Sequence, residues 1–325
     1  MKVVTYSQCG SPADVLELTE VAPRSPGFGE VRVEVLSAPI HNADVLQIMG
    51  LYGRSPVLPA TPGGEGVGRV VEVGAGVTHL PVGSIVFIST GATWAQQVTG
   101  PVTRFIPLPP GDLDQLAMLV SSPATAHLML ANYGHLQHGD WLIQTAANSA
   151  VGAAVVQLAK MRGLRTINIV RREAVVSDLK ALGADIVLVG TDNLCERINA
   201  ATGGAAIKLA LDAIGGPSIN LLVDALGMGG TLVSYSQVVH EPAEIVPAKL
   251  IFKQITVTGF WLTQWFSEAS DKDKQALFGQ LVPLVVGGQL TIAVDSGYPL
   301  DQIKAAVTRA IGGRRNGKVM LHPNR

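Results

Sequence analysis

One stretch restricts the fold of this chain more than any other: Gln144 to Arg172, QTAANSAVGAAVVQLAKMRGLRTINIVRR. An apolar run, Trp141 to Ala146, reads as a strand and enters a tight turn of small residues. A helix is expected from Ala150 to Met161 and a second apolar strand from Thr166 to Val170. Strand, small-residue turn, helix and strand form a βαβ unit. In a doubly wound α/β fold this unit lays a dinucleotide pyrophosphate on a helix N-terminus. An acidic residue about 20 positions past the turn binds the ribose 2′-hydroxyl in many such units. Here Arg171 and Arg172 end the second strand instead. Two guanidinium groups suit a 2′-phosphate, so the expected cofactor is NADPH.

The turn departs from a strict G-x-G-x-x-G. Gly152 keeps a glycine, while Ser149 and Ala150 are small residues that still let the backbone approach a phosphate. Asn148 and Ser149 add hydrogen-bonding groups beside it, and Val151 continues the turn into the helix.

The rest of the chain alternates in the same way. From about Leu113 to Gly288, RTINIV, DIVLV, IKLALDAI, GGTLVSYS and ITVTGF are strands separated by helical segments. That pattern implies a parallel sheet covered on both faces. Before it, EVRVEVLSAPI alternates as a half-buried strand does, and GVGRVVEVGAGV reads as a strand ending at a glycine turn. After it come short strands and a helix near Leu300 to Ile311, expected to pack back on the first segment. The expected domains are therefore residues 1–112 with 289–325, strand-rich, and residues 113–288, nucleotide-binding.

Charge and composition exclude several classes. With 24 Lys and Arg against 25 Asp and Glu, the chain lacks the basic excess of a nucleic-acid binder. No apolar run approaches the roughly 20 residues that cross a bilayer. MKVVTYSQCG enters a strand at once, which leaves no room for a targeting peptide, so a cytoplasmic location is expected. Cys9 and Cys195 are far apart and show no metal-ligand spacing, so no metal is expected.

This layout resembles the medium-chain dehydrogenase/reductase superfamily, and within it the zinc-free quinone-reductase branch. The segments NADVLQIMGLYG, HLQHGDWLIQTAANSAVG, LRTINIVRR, GGTLVSYS and LIFKQITVTGFWLTQW narrow the resemblance to the trans-2-enoyl thioester reductases. The resemblance implies a GroES-like domain joined to a Rossmann domain. It places Asn42 of HNADV at the vacant catalytic zinc-ligand position, and GGEG (Gly63 to Gly66) where the zinc enzymes carry G-H-E. It implies Tyr52 as the catalytic residue, with Asn42, Thr125 and Trp261 beside the reacting group. Its implied cofactor contacts are Ser122, Asn148, Ser149, Ala150, Val151, Gly152, Arg171, Arg172, Tyr235, Phe260, Trp261, Leu262 and Lys318. His41 and His127 read as structural residues near the cleft.

The implied reaction is NADPH-dependent reduction of the C=C bond of an enoyl-CoA or enoyl-carrier-protein thioester. Tyr52 would donate to the developing enolate or protonate the carbon. An NADPH:quinone oxidoreductase or a general alkenal/enone reductase is the alternative on the same scaffold, and a non-catalytic nucleotide-binding protein is a third reading. Relatives imply a homodimer formed near ITVTGF.

Overall fold

Period-two alternation builds the first half of the chain. The computed structural model describes residues 1–89, 91–239 and 241–325. Its early strands are β1 (Lys2–Thr5), β2 (Glu17–Glu20), β3 (Glu30–Pro39), β4 (Gly66–Val73), β5 (Ile85–Ile88), β6 (Gln97–Pro101) and β7 (Phe105–Pro107). In β3 the alternate residues Val31, Val33 and Val35 are fully buried. They face the core because successive side chains of a strand point to opposite sides. β3 pairs antiparallel with both β4 and β6.

The middle of the chain carries β8 (Trp141–Gln144), β9 (Arg165–Val170), β10 (Ile186–Val189), β11 (Ile207–Asp212), β12 (Thr231–Ser234) and β13 (Thr256–Gly259). All are parallel, in the order β10-β9-β8-β11-β12-β13. The chain direction across the sheet reverses between β8 and β11, and at such a point the carboxyl ends of the strands open a ligand crevice. β8 ends at Gln144, two residues short of the expected Ala146, because Ala146 takes a left-handed conformation (φ +48°) that breaks the ladder. The helix occupies Ala150–Met161, as the small-residue turn predicts.

The chain ends with β14 (Val294–Tyr298) and β15 (Lys318–Leu321), and β15 pairs antiparallel with β3 through Met320↔Pro39 and Leu321↔Ala38. The helix Ile303–Ile311 presses Ile303, Ala306, Val307 and Ala310 into the same core as Val33, Val70 and Trp94. Each large apolar side chain buried there contributes about 1.5–3 kcal/mol.

The two compact units are Met1–Val120 with Val282–Arg325, and Ser121–Leu281. The first crossover falls later than the expected Asp112, and the physical cause is the helix Leu113–Ala117. Asp112 caps it, Gln115 exchanges two hydrogen bonds of 2.9 Å with the backbone of Ile292, and Asp114 accepts from Ser37. Those bonds tie the helix into the first unit. The return crossover falls inside the helix Asp271–Val286, earlier than the expected Gln289.

Candidate active site

In the second unit the crevice is lined first by the turn after β8. Ser149 is the N-cap of helix Ala150–Met161, and its Oγ accepts from the Gly152 amide at 3.1 Å. The amides of Ala150 and Val151 belong to the helix's first turn, where no intrahelical acceptor exists. Gly152 has to be glycine, since a Cβ there would lie 2.5 Å from the Ala147 carbonyl oxygen. The buried Gln144 side chain braces the turn from beneath, donating to the Gly152 carbonyl and to Asn168 of β9. Asn148 is exposed at the rim.

Arg171 and Arg172 follow β9 directly, with Arg171 exposed and Arg172 half-buried. They stand at the carboxyl end of the strand beside β8, where a dinucleotide's adenosine ribose lies in this topology. Tyr235 follows β12; its hydroxyl is buried, faces Ser149 and makes no hydrogen bond of good geometry. Burial pushes that phenol up, so it remains a neutral donor. A cradle of small residues, a capped helix N-terminus and an orphaned buried hydroxyl together fit a dinucleotide pyrophosphate.

The same unit holds Ser122 and Thr125, both buried in helix Ser121–Asn132. Phe260 follows β13 and stacks edge-on against Tyr133, with ring centroids 6.3 Å apart. Trp261 is the N-cap residue of helix Leu262–Glu268, and Leu262 is its first residue. Two site residues escape sequence reading. Asp212, buried at the end of β11, accepts from Thr145 Oγ1, Ser218 Oγ and the Gly215 amide at 2.9, 2.7 and 2.8 Å. Thr145 in turn accepts from the Ala213 amide at 2.9 Å. This network joins the ends of β8 and β11, the two strands that flank the reversal. An Asp closing an apolar strand before Gly-Gly is the signal that could have revealed it.

In the first unit Tyr52 lies in a loop after helix Asn42–Ile48. The helix ends in a Schellman turn: the Leu51 amide donates to Leu46 and the Gly50 amide to Gln47, at 2.8 and 3.1 Å. Gly50 takes φ +74°, which a side chain would strain. His41 holds the N-cap position at the opposite end, and Asn42 is the exposed first helical residue. Asp44 accepts from the backbone amides of His41 and Gly64 at 2.8 and 2.9 Å. Lys318, expected among the cofactor contacts, is buried at the start of β15 with Nζ 2.7 Å from His41 Nδ1. His41 Nε2 lies 2.6 Å from Glu65. Among the described residues, no group of three or more His, Cys, Asp or Glu is placed to hold a metal ion. Among them, too, no helix is long and apolar enough to cross a membrane.

Residues 27–110 match the alcohol dehydrogenase GroES-like domain family, and residues 150–276 match the family described as zinc-binding dehydrogenase. A mitochondrial enoyl-[acyl-carrier-protein] reductase of Rattus norvegicus is 36% identical over 94% of this chain and 84% of its own length. The chain belongs to the medium-chain dehydrogenase/reductase superfamily, among the enoyl thioester reductases. A structure of the reductase Etr1p with NADP and crotonyl-CoA superposes on this member with a TM-score of 0.88, at 27% identity and 99% coverage of both chains. A Bacillus thuringiensis structure provisionally assigned as an NADPH:quinone reductase reaches 0.92, at 30% identity and 99% and 98% coverage. The reductase scaffold therefore spans nearly the whole of this chain.

Proposed function

We propose that this reductase saturates the C=C bond of 2-enoyl thioesters with NADPH, without zinc, and that Tyr52 is its catalytic residue. The observation that carries this reading is identity of 36% with enoyl-[acyl-carrier-protein] reductases over 94% of the chain. Bound NADPH supplies a hydride to Cβ of the substrate. Negative charge then develops on the thioester oxygen as an enolate, and a fixed donor there lowers the barrier. The Tyr52 hydroxyl serves as that donor, and Cα takes a solvent-derived proton to complete the saturated thioester. Ser149, the first-turn amides of Ala150 and Val151, and Tyr235 hold the pyrophosphate. Arg171 and Arg172 pair with the 2′-phosphate. Asn42, Thr125 and Trp261 order the reacting groups, and Trp261 shapes an apolar slot for the acyl chain. The pairing of the Lys318 amine with His41 Nδ1 supports the zinc-free reading.

The likeness to the Bacillus protein supports a second reading, reduction of quinones or enones. Parallel assays of NADPH oxidation with crotonyl-CoA, a crotonyl-carrier protein and a soluble quinone separate the two. The proposal requires thioester turnover that collapses in Tyr52→Phe. Quinone turnover alone, indifferent to Tyr52, would replace it.

A homodimer belongs to the same proposal. β13 is an edge of the parallel sheet, and next to it Ile251 and Phe252 are 66% and 75% exposed. A second copy pairing along that edge would cover this apolar surface and the open ladder. Light scattering on Phe252→Glu is expected to give a monomer where the unaltered protein gives a dimer.

A further inference from the structure

His41, Glu65 and Lys318 form a buried chain of ionisable groups in a reductase whose reaction does not call on them. Their exposures are 7%, 2% and 8%. Burying such groups is unfavourable unless each one is paired and hydrogen-bonded. Here each is. A lysine ammonium can only donate, so His41 Nδ1 accepts from Lys318, and the ring proton resides on Nε2, donated to Glu65 Oε1. Glu65 Oε2 accepts from the Val120 amide at 3.2 Å, and Thr93 Oγ1 donates to the Glu65 carbonyl at 2.9 Å. The carboxylate is thus fixed from several sides.

The consequence lies in where His41 sits. It is the N-cap of the helix whose other end delivers Tyr52, and Asp44 clamps its amide to the Gly64 amide. Val45 and Ile48 bury that short helix in the core. The Gly10 amide binds the Ile48 carbonyl at 3.0 Å, and the Schellman turn fixes Gly50 and Leu51. The helix is thus held at both ends and along its buried face.

We propose that His41 is a positioning residue for Tyr52. Bridged between the Lys318 ammonium and the Glu65 carboxylate, it fixes the helix that aims the catalytic hydroxyl, and it does so only while Lys318 keeps its proton. The proposal rests on Tyr52 being the donor. The other charged groups in reach of the chain are Asp44 in the helix and Arg315 before β15; Arg315 in turn senses Asp295 and Arg309, and Tyr6 senses Cys9 and Asp44. Burial and Arg315 push the Lys318 amine down to about 8, against the pull of Glu65 and Asp44. Burial likewise raises the Asp44 carboxyl, against His41 and Lys318. When Lys318 is neutral, Glu65 and Asp44 lose the charge of a cation that senses them both, and the cap loosens. The folded value lies below the unfolded value of about 10.4, so the unfolded state binds the proton more tightly. Titration of Lys318 therefore does not itself lower stability, and a thermal melt across the same pH range separates loss of aim from unfolding.

The test uses the intact protein with [15N]histidine labelling, with His41 assigned by difference from His41→Asn. At neutral pH the ring is expected to show one protonated and one bare nitrogen. The His41 signal and the alkaline limb of kcat for crotonyl-CoA should then shift with one midpoint. Lys318→Met is expected to lower kcat about tenfold to a hundredfold, with KM for NADPH held. Lys318→Arg should recover part of that loss and lack an alkaline limb up to about pH 10, since a guanidinium keeps its proton. Unequal midpoints in the unaltered protein, or an unmoved limb in Lys318→Arg, would overturn the proposal while leaving Tyr52 as the donor. Undiminished activity in Tyr52→Phe would remove the functional reading and this proposal with it.

Discussion

The turn after β8 and the loop after helix Asn42–Ile48 both present backbone from a helix end, yet they are held in opposite ways. The nucleotide turn is supported locally and mostly by neutral groups. Its cap, Ser149, sits three residues from the amide it binds, and its brace is an amide pair, Gln144 and Asn168, 24 residues apart. The Tyr52 loop is supported by charged groups, one of which comes from a distant part of the chain. His41 meets Glu65 across 24 residues and Lys318 across 277. A local neutral scaffold suits a site that only binds, because pH leaves it unchanged. A charged non-local one suits a site whose donor must be aimed, and it brings sensitivity to pH with it.

That contrast breaks most sharply at Tyr52. Tyr52→Phe removes one hydroxyl and should lower kcat for enoyl thioesters about a hundredfold to a thousandfold, with NADPH affinity unchanged by fluorescence titration. A parallel rise in the NADPH dissociation constant would show that the loop also binds cofactor. At the nucleotide end, replacing Arg171 and Arg172 together by Ala should weaken NADPH about tenfold to a hundredfold and leave NADH nearly unaffected, as loss of charge-assisted hydrogen bonds requires. Equal loss for both cofactors would place the 2′-phosphate elsewhere.

The pH response sharpens the comparison further. His127 of the second unit, beside Arg162, is pushed down to about 4 by burial and by that guanidinium. Its unfolded value is near 6.5, so the stability it confers is complete above that pH and is lost as pH falls toward 4. After allowance for partial exposure the loss should be about 1–2 kcal/mol. Thermal melts of the unaltered protein and His127→Gln between these pH values should converge at the acid end. The first unit's sensitive group, Lys318, acts on the alkaline side and on activity. Smallest of all, Ser149→Ala removes one cap and should cost about 1 kcal/mol, read as a modest rise in KM for NADPH with kcat held.

Much of the nucleotide unit was legible because its signals are contiguous. The strand, small-residue turn, helix and arginine pair follow one another within about 30 residues, the span of one βαβ unit. The strand-rich unit was legible in its alternation, and the C-terminal segment was expected to pack back on the first segment, though not that it would pair with β3. Asp212 was missed because an acid at a strand end looks like any turn residue until Thr145, Ser218 and Gly215 converge on it. His41 reads as structural in the sequence, and attention falls on Asn42 beside it because of its place at the vacant zinc-ligand position. The H-x-x-D spacing could have revealed His41 as the cap, with Asp44 at the third helical position. Lys318 heads a run of wholly buried residues, a hint that its amine would need a buried partner. No spacing rule could have named that partner at position 41.

The central claim, thioester reduction with Tyr52 as donor, is tested most directly by isotope placement in a single turnover. Crotonyl-CoA would be reduced with NADPH carrying deuterium at C4 of the nicotinamide, and separately with ordinary NADPH in deuterated water. The account predicts cofactor deuterium at C3 of the butyryl product, solvent deuterium at C2, and a rate that falls about a hundredfold or more in Tyr52→Phe. No butyryl product, with the same NADPH oxidised readily by a quinone, would contradict it.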